Sequence, residues 1–158
     1  MKSSRLSGFS LLETLLVLVI IAVLVAIALP QITASLRASR INTTAAAIAA
    51  KLGEARSQAV KRNSSCSLVV NPANRRMWIE SDGERIGTAE TIPEEIWVSF
   101  SPSSSHTQQS VRFGSMGNLQ SVPVTITVTD EGLRLTKTIQ VSLSGKITTG
   151  AMTKTGVK

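Results

Sequence analysis

The chain contains one histidine and one cysteine, two residue types that often act as the base or the nucleophile in nucleophilic catalysis. His106 lies in the Ser-rich run SPSSSHTQQS, where no acidic residue stands behind it as a nucleophilic triad requires. Cys66 begins an apolar run and is interpreted as a small core residue. Gly145 and Lys146 lack the preceding glycine of a phosphate-binding loop, and no metal-ligand cluster occurs. The sequence therefore predicts a protein that is not an enzyme and uses no cofactor or metal.

Basic side chains are the second group of candidate functional residues, because their positive charges attract phosphates. The formal net charge of +7 favours contact with an anionic surface such as nucleic acid, lipid headgroups or an acidic partner. The residues proposed for DNA binding are Arg75 and Arg76, which lie beside Trp78, and Arg134, Lys137 and Lys146. The alternative interpretation is solvated charge on a basic surface.

The run from Phe9 to Leu29 is almost entirely apolar and carries one charge, that of Glu13. As a helix it is about 31 Å long, enough to cross the hydrocarbon core of a bilayer. A carboxylate inside such a helix costs on the order of a few kcal/mol unless it meets a cation. Pro30 follows the run and removes the backbone donor that would pair with Ala26, which predicts a kink or local unwinding.

The residues before the apolar run, MKSSRLSG, form a short basic segment that ends in Gly8. A secretory signal peptide has its cleavage site after the apolar stretch, whereas a site here would precede it. Cleavage between Gly8 and Phe9 would leave the whole apolar helix on the mature protein, with a free amine at its start. In a helical assembly, the amine of a neighbouring subunit could pair with Glu13 and set the register between packed helices.

The segment GFSLLE, followed by the apolar run and Pro30, resembles the prepilin signature of type IV pilins and of the pseudopilins of type II secretion. The resemblance implies that a prepilin peptidase cleaves after Gly8 and that Phe9 is then N-methylated. It also implies that Glu13 acts in filament assembly. We assign Pro30 to the assembly residues as well. The implied partners are other pilin or pseudopilin subunits, the prepilin peptidase and the inner membrane.

The helical pattern resumes beyond Pro30 and is expected to reach about Arg62. Apolar or small residues recur there at spacings of four and three, which places them on one face: Ile41, Ala45, Ile48, Leu52, Ala55 and Ala59. This predicts an amphipathic helix laid against a sheet.

From Cys66 onward the hydrophobic period changes to two, which indicates strands. Residues 67–70 and 77–80 predict a first hairpin, residues 81–84 a second turn, and residues 96–100 another strand. The Ser-rich stretch 101–110 is predicted to be flexible. Residues 122–129 and 133–143 form the clearest hairpin, in which Lys137 has the parity of the buried set and so predicts a bulge or an edge strand.

The order VRFGSMGNL, apolar hairpin, then TIQVSLSGKI resembles the head of the GspH and FimT branch of pilin-like proteins. The fold class expected is α+β, a pilin-like fold in which a long N-terminal helix packs on an antiparallel β-sheet head. The expected segments are 1–8 (leader peptide), 9–29 (transmembrane and assembly helix), 30–62 (amphipathic continuation) and 63–158 (β-rich head). A single cysteine excludes the C-terminal disulfide loop usual in major pilins, which favours a minor subunit.

The function expected is that of a minor pilin-like subunit of a type IV pilus, acting in filament assembly or initiation and in DNA uptake. A type II secretion pseudopilin shares every N-terminal feature and remains an alternative. A DNA-binding minor pilin outside the cell is the other. FimT-like minor pilins are associated with DNA capture, yet only one basic residue, Lys146, follows the closing Gly145. The protein is expected to cross the inner membrane once, with its head in the periplasm.

Overall fold

The structure, a computed structural model, describes residues 10–102, 108–130 and 132–154. The chain divides into two units, one ending at Leu36 and the other beginning at Arg37. The elements in chain order are α1 (Leu11–Arg62), β1 (Cys66–Asn71), β2 (Arg76–Ser81), β3 (Glu84–Thr91), β4 (Ile96–Ser101), β5 (Gln109–Phe113), β6 (Val124–Asp130), β7 (Leu135–Val141) and β8 (Ile147–Lys154).

The first unit contains the apolar part of α1. Its large side chains are exposed, with relative exposures such as 85% for Leu11 and 65% for Leu18. By length and composition alone, this helix is long and apolar enough to cross a membrane. The helix is continuous through Pro30, so the local unwinding predicted there is not seen, and the alternative of a kink stays a prediction.

The second unit is built on the remaining part of α1. The six residues predicted to form one helical face are all fully buried: Ile41, Ala45, Ile48, Leu52, Ala55 and Ala59. α1 ends at Arg62 because Asn63 adopts a left-handed conformation with φ 49°. The amides of Asn63 and Ser64 then bond back to the carbonyls of Val60 and Ala59, which satisfies the free carbonyls of the last turn.

Two four-stranded antiparallel sheets complete the head, where the sequence predicted one. The first sheet has the order β3-β2-β1-β5, and the second has the order β4-β6-β7-β8. Their alternating inward residues join the helix face in one core that includes Leu68, Ile79, Phe113, Ile126 and Ile139. The α+β class with a long helix packed on antiparallel strands is confirmed.

The strongly apolar strands were predicted, and the polar ones were missed. β3 and β8 have mostly exposed side chains, and β5 is short, so none of them shows a clear apolar alternation over enough residues. Val122 and Leu143, predicted within the main hairpin, lie outside its strands and are exposed. Within the Ser-rich stretch, residue 101 belongs to β4, and residues 109 and 110 belong to β5. Residues 103–107, including His106, lie outside the described residues, and the flexibility of the stretch stays a prediction.

Neither a bulge in β7 at Lys137 nor an edge strand, the two predictions for this position, is found: two steps along β7, from Lys137 to Ile139, face three steps along β8, from Met152 to Thr149, so the extra residue lies on β8. The pairing of β7 with β8 shifts register between Lys137 and Ile139. β7 lies inside its sheet, between β6 and β8. A lysine can occupy this inward parity because its ammonium reaches Asn42 on α1, where it donates a hydrogen bond of 2.7 Å to Oδ1.

Candidate functional site

The predicted processing site, Gly8 and Phe9, and the leader 1–8 lie outside the described residues. The description begins at Ser10, which is the N-cap of α1. Its Oγ accepts a hydrogen bond of 3.2 Å from the amide of Glu13, and its carbonyl accepts from the amides of Glu13 and Thr14. The Ser-x-x-Glu spacing is the usual capping signal, and the sequence analysis did not use it.

Glu13 occupies the third position of α1, where a negative charge interacts favourably with the helix dipole. Its side chain is exposed, and within the described residues its carboxylate forms no ion pair. The favourable dipole interaction offsets part of the cost of an acidic residue in an apolar helix. An ion pair with a cation from outside the described residues would offset the rest of that cost.

Arg75 makes its side-chain contacts within the head. It adopts a left-handed conformation with φ 49°, and its Nη1 donates a hydrogen bond of 2.9 Å to the carbonyl of Pro93. Its guanidinium lies 5.4 Å from the centre of the Trp97 ring, a cation–π contact. Arg76 begins β2 and is exposed. Of this predicted pair, therefore, only Arg76 presents its charge without a described protein contact.

The three predicted cations near the C-terminus lie at separate places on the second sheet. Arg134 is exposed in the turn between β6 and β7, and Lys146 is exposed just before β8. Lys137 is half-buried and bonded to Asn42. β7 runs between the Arg134 turn and the Lys146 turn, and its seven residues span about 20 Å. The structure therefore does not gather these cations into one cluster.

Arg56 is a structural residue that the sequence analysis missed. From α1, its Nε donates a hydrogen bond of 2.8 Å to the carbonyl of Gly117, and its Nη2 lies 3.4 Å from the carbonyl of Ser144. Leu119 then donates to the carbonyl of Leu143 at 3.0 Å. The loop after β5 and the turn before β8 are thus held to each other and to the helix.

Gly145 allows this close approach. It has φ 76°, and a Cβ placed on it would overlap the carbonyl oxygen of Gly117. The closing glycine in the predicted motif therefore has a packing role, since a side chain would push the two loops apart.

An ion pair lies near the start of β4. Arg40 Nη1 is 2.8 Å from Glu95 Oε1, and both side chains are about half exposed. The pKa of Glu95 is lowered, first by a hydrogen bond from its own backbone amide and then by the charge of Arg40, while its desolvation acts in the opposite direction. An exposed pair of this kind contributes little to stability.

The residues that could carry catalysis do not form a site within the described part of the chain. Cys66 is fully buried on β1. Groups of three or more metal-ligating side chains are not found among the described residues.

Comparison with known families and structures gives a consistent result. Residues 44–145 match the family model described as type II transport protein GspH. The matched segment begins within the buried face of α1 and ends at the Gly145 turn. A search of curated protein sequences gave no match.

Two solved structures share this fold. The type IV minor pilin FimU of Pseudomonas aeruginosa superposes with a TM-score of 0.59 at 14% identity, over 73% of this chain and 91% of FimU. The minor pseudopilin EpsH of the type 2 secretion system of Vibrio cholerae gives 0.56 at 14% identity, over 71% of this chain and 97% of EpsH. At these identities the likeness is one of fold alone.

Proposed function

The chain belongs to the GspH family of type II transport proteins, and we propose that it is a minor subunit of a type IV pilus that acts in filament assembly or initiation. The observation that carries the proposal is the apolar part of α1, whose large side chains are exposed ahead of a folded head. So much exposed apolar surface requires lipid or other helices around it. Lipid would surround this helix while the subunit is stored in the membrane, and the helices of other subunits would surround it in the filament.

The N-terminal residues would act during maturation. We propose that a prepilin peptidase cleaves between Gly8 and Phe9 and that Phe9 is then N-methylated. The cleaved chain would remain in the bacterial inner membrane through the helix that begins at Leu11, with the head in the periplasm. This proposal is supported by the segment GFSLLE before the apolar run.

Within the filament, Glu13 would pair with the amine of a neighbouring subunit. An ion pair in an apolar helix bundle is strongly orienting, because either charge alone is costly there. The partners are therefore other pilin or pseudopilin subunits, and Pro30 would help the helix adapt to the bundle by removing one backbone hydrogen bond.

A direct test is to shear filaments from cells that produce the chain and to analyse them by mass spectrometry. The expected result is a polypeptide that begins at methylated Phe9 and is incorporated with the other subunits. A filament-borne chain that begins at Met1 would contradict the processing. Absence of the chain from filaments would contradict the subunit role.

Protein secretion through a type II system is the alternative to pilus assembly. It is supported by the description of the matching family as a type II transport protein. Deletion of the gene separates the two. Loss of surface pili with normal secretion would indicate a minor pilin, and loss of secretion with normal pili would indicate a pseudopilin.

DNA binding at the cell surface, as in DNA uptake, is a second candidate function. It is favoured by the exposure of Arg134, Lys146 and Lys154 in a stretch, 132–154, that contains no acidic residue. In a titration with duplex and single-stranded DNA, phosphate binding would weaken with salt with a log–log slope close to the number of phosphates engaged. Substituting Gln for the exposed Arg134, Lys146 and Lys154 would weaken binding of unrelated sequences alike. Failure to bind either form at low salt would exclude this function.

A further inference from the structure

The first positive charge on α1 follows its apolar part directly. Between Glu13 and Arg37 the helix contains no charged residue. The helical rise places Arg37 about 12 Å beyond Leu29, the last residue of the apolar run, and the headgroup layer of a bilayer is roughly 5–8 Å thick on each side. A long arginine side chain can cover the difference. When the apolar run crosses a bilayer, the guanidinium of Arg37 can therefore reach the lipid headgroups.

The turn between β6 and β7 lies at the same end of the head, where α1 enters it. A Cβ placed on Gly132 would overlap the guanidinium of Arg37, so this turn touches the start of the helix within the head. Arg134 belongs to the turn, and Leu135 beside it pairs with Lys154 of β8. Arg37, Arg134 and Lys154 are exposed, and we call them the entry-end cations.

A second set of contacts defines the opposite end of the head. Arg56, near the end of α1, lies 3.4 Å from the carbonyl of Ser144, in the turn that also contains Lys146. Lys61 and Arg62, in the last turn of α1, are at this end as well. β7 connects the two ends over about 20 Å. The head therefore has exposed cations at both ends, and those at the entry end adjoin the apolar run.

The charges of the entry-end cations are not used in ion pairs inside the head. Within the described residues the ion pairs are Arg40–Glu95, at this end of the head, and a pair local to α1. Glu94 is exposed beside Glu95, and Asp130 is buried. Glu131 lies outside the described residues. The three cations are therefore able to bind an anion from outside the chain.

An exposed tryptophan lies near the same end. Trp97 is the second residue of β4, and Ile96 before it pairs with Asp130, which ends β6 ahead of the turn. Trp97 is 51% exposed, and its ring contacts the guanidinium of Arg75. Tryptophan is enriched at the boundary between lipid and water, because its ring is apolar and its N–H is polar. The entry end thus combines cations with an aromatic side chain of the kind found at membrane surfaces.

We propose that the entry-end cations bind the phosphates of anionic phospholipids while the subunit is stored in the membrane. This inference rests on the proposed function, because it requires the apolar part of α1 to be anchored in a bilayer. Anchoring holds the head beside the lipid surface, so the local concentration of headgroups is high. Cations next to a membrane-spanning helix attract anionic lipids in this way. The contact would position the head before assembly, and transfer into a filament would break it.

A membrane surface fits the position of these cations better than nucleic acid does. Both ligands offer phosphates, so charge alone does not distinguish them. A nucleic acid would have to enter between the head and the bilayer, where the lipid phosphates would repel it. Lys146, at the opposite end of the head, faces no such obstacle.

The lipid selectivity of the full chain in nanodiscs tests the proposal. The chain is inserted into discs that contain equal amounts of anionic phosphatidylglycerol and zwitterionic phosphatidylcholine. Native mass spectrometry then counts the lipids of each kind that stay bound when the disc is removed. The wild type should retain phosphatidylglycerol over phosphatidylcholine by at least about tenfold. This preference should fall as the salt concentration rises from about 50 mM to about 500 mM, because screening shortens the range of the attraction.

Two triple variants with the same loss of charge provide the comparison. In the entry-end variant, all three entry-end cations are replaced by glutamine, and the preference for phosphatidylglycerol should disappear. The matched control removes three exposed cations from the opposite end of the head and should keep the preference: Lys61→Gln, Arg62→Gln and Lys146→Gln.

Two further variants separate charge from packing. Arg37→Lys combined with Arg134→Lys keeps both charges and should keep the preference, even though the contact of Arg37 with Gly132 changes. Glu94→Gln removes an exposed acid from the same end and should raise the preference. Loss of the preference in the lysine variant would show that packing, and not charge, is responsible and would contradict the proposal.

The inference is overturned if the wild type retains both lipids equally, or if both triple variants lose the preference to the same extent. Binding of a single-stranded oligonucleotide in discs of phosphatidylcholine, lost in the entry-end variant and accompanied by no lipid preference, would identify nucleic acid as the ligand and also overturn it. Insertion without lipid preference contradicts this inference alone. Failure of the chain to insert contradicts the membrane storage in the proposed function as well.

Discussion

Lys137 and Asn42, which are 95 residues apart in the chain, are joined by a hydrogen bond of 2.7 Å between the lysine ammonium and the amide oxygen. The contact links β7, an inner strand of the second sheet, to α1 within the head. It also gives a packing role to a lysine whose position in an apolar strand would otherwise be unfavourable.

Replacing Lys137 by Ala should destabilise the head by about 0.5–1 kcal/mol, because the bond is partly open to water. Asn42→Ala should cost a similar amount. The double variant should cost less than the sum of the two, and denaturant unfolding of the full chain in detergent measures this coupling. The control is Lys146→Ala, an exposed lysine without this partner. Strict additivity of the two substitutions would show that the bond does not contribute to stability.

Gly145→Ala should be far more damaging than Gly83→Ala. Both glycines have positive φ, 76° and 84°, so alanine is strained at either position. A Cβ at Gly83 meets nothing within 4 Å, whereas one at Gly145 overlaps the carbonyl of Gly117. We expect the free energy of unfolding to fall by about 1 kcal/mol in Gly83→Ala and by more than about 3 kcal/mol in Gly145→Ala. Equal losses at the two positions would contradict the close approach of the loops.

Arg56→Ala should lower the free energy of unfolding by about 1–2 kcal/mol, since two loop carbonyls lose a charged donor. Arg56→Lys should recover only part of this, because a lysine cannot present two donors in the fixed geometry of a guanidinium. Lys51→Ala on the same helix is the control, as its ion pair with Glu54 is local to the helix. Hydrogen exchange at Leu119 should rise in Arg56→Ala and stay unchanged in the control.

Glu13→Ala should separate membrane insertion from assembly. Insertion should be unchanged or improved, because a charge is removed from an apolar helix, while incorporation into filaments should fall. Ser10→Ala removes the cap of the same helix without removing the charge and serves as the comparison. Membrane fractionation and quantification of sheared filaments give the two readouts. Wild-type levels of Glu13→Ala in filaments would rule out the assembly role of this residue.

Local patterns in the sequence were sufficient for the helix and the most apolar strands. The spacing of Ile41, Ala45 and Ile48 predicted the buried face of α1, because helical periodicity depends on residues close in the chain. The alternation in β6 predicted its inward residues in the same way. The inward parity of Lys137 led to the wrong prediction of a bulge or an edge strand, because its hydrogen-bond partner on α1, Asn42, was not predictable from local pattern.

Three features depended on contacts between distant parts of the chain. The division of the strands into two sheets is set by which strands pair, and β3 and β8 carry little apolar signal of their own. The contacts of Arg75 with Trp97 and Pro93 were not predictable from the sequence, and neither was the separation of Arg134 from Lys146 by the length of β7. The sequence by itself determined the apolar anchor, the helix face and the charge of each segment, since these are properties of neighbouring residues. Only the tertiary structure decided which charges are used inside the head and which remain on its edges, because that depends on side chains brought together from far along the chain.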